Sequence, residues 1–130
     1  MARKTQQLTI GRRRIEMSNL DKLVYPGTKF TKSELIDYYI NVSKYILPHL
    51  KDRPVTLKRY PDGVFGEAFY EKDAPAFTPG WVKTASVPRR ETPGADIHYI
   101  LINDLPTLVW AANLASIELH PFLHRASSLD

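Results

Sequence analysis

An α+β fold, with a mainly antiparallel sheet flanked by two long helices at about 32–47 and 106–119, is what this chain of 130 residues predicts. Three observations lead there. Thr31 and Glu34 form a capping box that opens an apolar run at helical spacing. Short stretches rich in β-branched and aromatic residues follow, cut by turns that carry Pro or Gly. A second apolar run begins at Pro106, a residue suited to the first turn of a helix. The length and a hydrophobic fraction of 43% fit one domain over residues 1–130 with a modest core.

Residues 1–16 are expected to form a basic arm that holds Arg3, Lys4 and the run Arg12-Arg13-Arg14. Within it, Leu8-Thr9-Ile10 and Ile15 mark a short edge hairpin turning at Gly11. Ser18-Asn19-Leu20-Asp21-Lys22 reads as a helical turn or a capped loop, closed by Tyr25-Pro26-Gly27. From Thr31 onward, Leu35, Ile36, Tyr39, Val42, Ile46 and Leu47 share a helical face up to Pro48. Strands are expected near 54–60, 67–72, 82–88 and 97–102, with Thr92-Pro93-Gly94 as a turn and Phe77-Thr78-Pro79-Gly80-Trp81 as a loop. Leu108, Val109, Ala112, Leu114, Ala115, Ile117 and Leu119 give the second helix a broad apolar surface that stops at Pro121.

Charge is distributed unevenly. Residues 1–60 carry 13 Lys and Arg against 5 Asp and Glu, whereas residues 61–130 carry 5 against 9. A positive field in the first half points to anionic partners such as nucleic acid phosphates, although a basic arm also serves simple solubility. Absence of cysteine excludes disulfides, thiol nucleophiles and cysteine-bound metal. No apolar run approaches the roughly 20 residues of a membrane helix and the N-terminus lacks a signal core, so a cytoplasmic protein with no membrane partner is expected.

The basic strand Thr56-Leu57-Lys58-Arg59-Tyr60, the turn Pro61-Asp62-Gly63 and the pair Phe69-Tyr70 before Glu71-Lys72 bring cations and flat rings into one hairpin. Single-stranded or frayed nucleic acid is gripped by that combination. The same pattern also describes an ordinary hairpin with Phe69 in the core and Lys58 and Arg59 solvated. Lys22 and Lys32 bracket a turn at the start of the capped helix, whose free N–H groups favour an anion; two solvated lysines are the plainer reading. His120 and His124 have a metal-chelating spacing, but Pro121 interrupts it and no third ligand has a recognisable spacing, so no metal is assigned. No Asp-x-Asp, Gly-rich phosphate loop or Gly-x-Ser-x-Gly elbow occurs in these 130 residues, which reads as a binding surface.

Ser18-Asn19-Leu20-Asp21-Lys22-Leu23-Val24-Tyr25-Pro26, Phe30-Thr31-Lys32, Asp37-Tyr38-Tyr39, Arg53 through Gly63, and Phe69-Tyr70-Glu71-Lys72 together resemble the polymerase domain of bacterial ATP-dependent DNA ligase D. Leu105 through Leu114 and Ile117-Glu118-Leu119-His120 extend the similarity in order. That family belongs to the archaeo-eukaryotic primase superfamily and acts with Ku in non-homologous end joining of double-strand breaks. The resemblance implies the N-terminal part of a primase-polymerase fold.

Carried over by position, the resemblance implies that Lys22 and Lys32 hold a DNA 5′-phosphate at a break or gap. It implies that Phe69 and Tyr70 stack near the templating base, Tyr70 standing where Phe is more usual. Lys58, Arg59 and Lys72 become DNA-binding cations, and His120 a residue of the active centre. The family's Asp-Leu-Asp-Pro motif, which holds the Mn or Mg ions that act on a nucleoside triphosphate, has no counterpart here. The expectation is therefore an end-binding repair module without cofactor of its own, inactive alone, with a ligase, Ku or a chain carrying the catalytic half as partners. The alternatives are an active nucleotidyltransferase that borrows Asp62, Glu67 or Asp73 or completes its site by oligomerisation, and a structural fragment that does nothing alone.

Overall fold

In the computed structural model, which describes residues 5–89 and 94–126, one strand organises the sheet. The elements run β1 (Thr5–Ile10), β2 (Arg13–Ser18), β3 (Leu23–Tyr25), a short 3₁₀ turn (Pro26–Thr28), β4 (Phe30–Thr31), α1 (Lys32–Leu50), β5 (Pro54–Arg59), β6 (Phe69–Glu71), β7 (Thr84–Val87), β8 (Ile97–Leu101), α2 (Leu105–Asn113) and β9 (Ser116–Pro121). Strand β5 is the organiser. One of its edges pairs with β9 over 55–59, and the other is shared by β8 at Pro54 and Val55 and by β6 at Leu57 to Arg59. Strand β7 extends the sheet beyond β8, and every pairing is antiparallel.

Alternation along β5 explains its place: Val55 and Leu57 are fully buried, whereas Thr56 and Lys58 lie on the other face. Each such apolar side chain contributes about 1.5–3 kcal/mol by leaving water. The core joins them to Leu35, Ile36 and Tyr39 of α1 and to Leu108, Val109 and Ala112 of α2. The capping box forms as the sequence implies: Thr31 Oγ1 accepts from Glu34 N, and the Glu34 carboxylate accepts from Thr31 N. The Tyr39 hydroxyl donates to the carbonyls of Ser116 and Ile117, at 2.9 and 3.2 Å, and ties α1 to β9. Burial pushes that hydroxyl's pKa well above the ordinary tyrosine range.

Two helix limits differ from the sequence reading. Helix α1 continues through Pro48 to Leu50, because the missing N–H falls in the last turn beside solvent and buried Leu50 anchors that turn. The second helix ends at Asn113 instead of Leu119. Ala115 adopts a left-handed conformation, φ 59°, and breaks the helix. Beyond it, Ser116, Glu118 and His120 alternate with Ile117 and Leu119 as a strand whose backbone groups pair with β5. Period two was present in those residues beside the helical spacing.

The hairpin β1–β2 turns at Gly11, whose φ is +60°, with Leu8 opposite Ile15. It is fixed to α2 by Asn113, whose Oδ1 accepts from Ser18 N at 2.9 Å while Nδ2 donates to the Glu16 carbonyl at 3.1 Å. Residues 18–22 form a turn with Asn19 left-handed, φ 53°, rather than a turn of helix. The expected turn at Thr92-Pro93-Gly94 lies largely outside the described residues.

Candidate nucleic-acid interface

Lys22, Lys32 and Arg59 line one recess between the 18–24 turn, the loop after β5 and the end of α2. The recess holds about 150 Å³ of water-accessible space, with Asn19, Gly63 and Asn113 also in its wall. Neither lysine is simply solvated. Lys32 is only 5% exposed, and its ammonium donates to the carbonyl and hydroxyl of Ser18. Lys22 Nζ lies 3.2 Å from the Asp62 carboxylate at the rim, an exposed pair.

The helix start behaves differently from the sequence expectation. Its amides do not point outward, because Lys32 N donates to the Lys22 carbonyl at 2.8 Å and Ser33 N to the Leu20 carbonyl at 2.9 Å. Glu34 N is taken by the Thr31 cap. The amides therefore fold the 18–22 turn onto α1 and set Lys22 over the recess, so that anion binding falls to side chains.

Arg59 belongs to this recess. Its Nε donates to the Leu114 carbonyl at 2.9 Å, and its Nη1 pairs with Glu71 at 3.0 Å. The Phe69 ring covers the guanidinium with its centroid 5.0 Å away. Phe69 is 43% exposed and not in the core. Tyr70 is 58% exposed and does not stand beside Phe69. Adjacent residues of a strand leave opposite faces, so Tyr70 opposes Lys58 while Phe69 opposes Arg59. Lys72 is exposed just past β6 and lies outside the recess.

The opposite face gathers a second cluster. Glu118 Oε2 accepts from the Tyr60 hydroxyl and lies 3.5 Å from Lys58 Nζ, while Oε1 is 3.1 Å from His120 Nε2. Lys58 sits 5.2 Å from the Tyr70 ring centroid, and Tyr70 is 5.8 Å from the His120 ring. Hydrogen bonding from Tyr60, then attraction to Lys58, holds the Glu118 carboxyl below the usual range. Lys58 is held above its usual range, first by its hydrogen bond with Tyr60 and next by Glu118. His120 thus stands on a strand, not at a helix end, and His124 is exposed without joining it.

Among the described residues no group of three or more His, Asp or Glu stands close enough together to hold a metal ion. Asp62 faces Lys22, Asp73 accepts from His98 N at 2.8 Å, and Glu67 is exposed elsewhere. Asn19 and Asn113 of the recess wall were given no site role by the sequence reading. Asn113 had a signal, as the one amide ending the apolar run Leu108–Ala112, whereas Asn19 is placed only by its left-handed turn.

The architecture is that of a polymerase domain. The chain superposes with a TM-score of 0.81 and 38% identity, over 86% of its own length and 38% of the other chain, on the polymerase domain of Mycobacterium tuberculosis ligase D in complex with DNA. Residues 31–130 match the family described as LigD, primase-polymerase domain. The chain belongs to that family, as the motifs between Ser18 and His120 implied. The multifunctional non-homologous end joining protein LigD of Mycolicibacterium smegmatis is 39% identical over 107 residues, 82% of this chain and 14% of that protein. The bifunctional non-homologous end joining protein LigD of Bacillus subtilis is 36% identical over 110 residues, 84% of this chain and 17% of that protein. The chain thus spans 14% and 17% of the length of these two relatives. Among the described residues no helix is long and apolar enough to cross a membrane.

Proposed function

We propose that this chain binds DNA ends or gaps in non-homologous end joining and seats a 5′-terminal phosphate in the recess of Lys22, Lys32 and Arg59. The observation that carries the reading is the convergence of two lysines, ten residues apart in sequence, on one recess that the carbonyls of Ser18 and Leu114 help to order. Pre-positioned ammonium groups suit a dianionic terminal phosphate better than an internal phosphodiester, which carries one charge. Phe69 presents a half-exposed ring beside the recess for a base, and Tyr70 presents one on the other face near His120. Lys58 and Lys72 contribute to the field that attracts the backbone. Ku, a ligase and the catalytic remainder of a polymerase are the partners this role calls for, and divalent metal with nucleoside triphosphate would enter with that remainder.

Gapped duplexes that differ only in the 5′ group provide the test. Affinity for the phosphorylated gap should exceed that for the hydroxyl gap by about tenfold or more and should fall steeply with salt. Equal affinity for the two would defeat the reading.

A further inference from the structure

A second concavity lies next to the recess, with Asn113 and Leu114 in the walls of both. It contains about 350 Å³ of water-accessible space between hairpin β1–β2, the loop before β7 and α2, within the usual size range of small-ligand sites. Trp110, buried at 5% exposure, forms its floor, and Phe77, 61% exposed, stands edge-on to that ring at a centroid distance of 6.5 Å. Trp81 lines it as well, with the Arg13 guanidinium 5.6 Å from its ring. Arg14 lines the groove from the same hairpin, and Glu16 is its one acidic residue. Arg12, Arg13 and Arg14 are all exposed around the turn.

We propose that this groove takes an unpaired stretch of nucleic-acid strand, its bases stacking on Phe77 and Trp81 and its phosphates running along Arg13 and Arg14. Three features favour that occupant over an apolar peptide. An exposed ring and an arginine-covered ring offer stacking faces that any base can use. The arginine run supplies positive charge along one rim. The shared residues Asn113 and Leu114 set the groove beside the recess proposed for the terminal phosphate, so that one strand can reach both. The inference extends that reading, but the two sites fail separately.

Trp81 and Trp110 are the two tryptophans of the chain, so intrinsic fluorescence reports this groove directly. Titration of the full chain with a 5′-hydroxyl oligothymidylate should quench the emission saturably and in a salt-sensitive manner. Phe77→Ala should weaken the binding about fivefold or more, as loss of one stacking ring implies. A joint Arg13→Ala and Arg14→Ala variant should weaken it and flatten its salt dependence. Lys22→Ala should weaken binding of the phosphorylated gap more than it weakens binding of the oligothymidylate. Unchanged emission, quenching indifferent to both groove variants, or quenching that requires a 5′-phosphate and disappears with Lys22→Ala would each overturn the proposal.

Discussion

The two faces of β5 carry neighbouring cations to opposite ends. Arg59 turns toward the recess, where a carbonyl, a carboxylate and the Phe69 ring fix it beside buried Lys32. Lys58 turns to the other face, where Glu118, Tyr60, Tyr70 and His120 surround it at the surface. The first face is ordered by backbone carbonyls together with the Arg59–Glu71 and Lys22–Asp62 ion pairs, around a hollow. The second is ordered by side chains that neutralise one another. A Lys-Arg dipeptide therefore does not add up to one basic patch: pleating makes it two sites with different electrostatics.

The largest expected separation between the faces comes from Lys32. Lys32→Met keeps the aliphatic stem but removes the ammonium from the Ser18 carbonyl and from the recess. Discrimination between phosphorylated and hydroxyl gaps should drop about tenfold or more. Urea unfolding should report a loss of about 1–3 kcal/mol, because a buried carbonyl loses its donor. Lys58→Met removes the same charge from the opposite face and should leave the discrimination intact. If both variants lost it equally, the faces would form one electrostatic surface and the comparison would break.

Much of this was legible in the sequence, and the part that was not has a physical cause. The capping box, the Gly11 hairpin and the strands at 54–59, 69–71, 84–87 and 97–101 follow from local chemistry that the residues display. The residues after Asn113 carry both periods, because Leu114 with Ile117 and Ala115 with Leu119 have helical spacing while Ile117 and Leu119 alternate with polar neighbours. Only pairing with β5 decides between them, and that partner lies some sixty residues away. The meeting of Lys22 with Lys32 was inferred at the sequence level, yet the role given to helix amides was misplaced. Those amides are consumed by the carbonyls of Leu20 and Lys22, a tertiary detail with no sequence signature.

A smaller, pH-dependent effect belongs to the Lys58 face. Tyr60 is the first cause of both the depressed Glu118 carboxyl and the elevated Lys58 ammonium. A carboxyl with a folded pKa below its unfolded value of about 4.3 contributes stability above that value and loses it as pH falls through the folded pKa. An ammonium with a raised folded pKa contributes below its unfolded value of about 10.4 and loses it as pH rises through the folded pKa. Melting curves of the wild type and Tyr60→Phe should thus differ most across the neutral range and converge toward both extremes. A gap in Tm that stayed constant from acid to alkali would remove the coupling of these three groups.

The smallest effect lies at the rim of the recess, with Asp62. Its loop is pinned beside Lys22: Val64 N donates to the Val24 carbonyl at 2.8 Å, and Gly63, at φ +84°, packs so closely that an added Cβ would sit 2.9 Å from the Leu23 carbonyl oxygen. Asp62 therefore stands over Lys22 as a consequence of how the loop is built, and its carboxylate competes with any phosphate for that ammonium. An exposed ion pair of this kind is worth about 0.2–1 kcal/mol, so Asp62→Asn should raise affinity for a phosphorylated gap by up to about fivefold. A direct competitor of the phosphate predicts a smaller gain for the hydroxyl gap, whereas a change in overall field predicts equal gains for both. The ratio of the two affinities at constant salt separates these outcomes. A gain confined to the phosphorylated gap would place the terminal phosphate at Lys22, on the Arg59 side of the sheet.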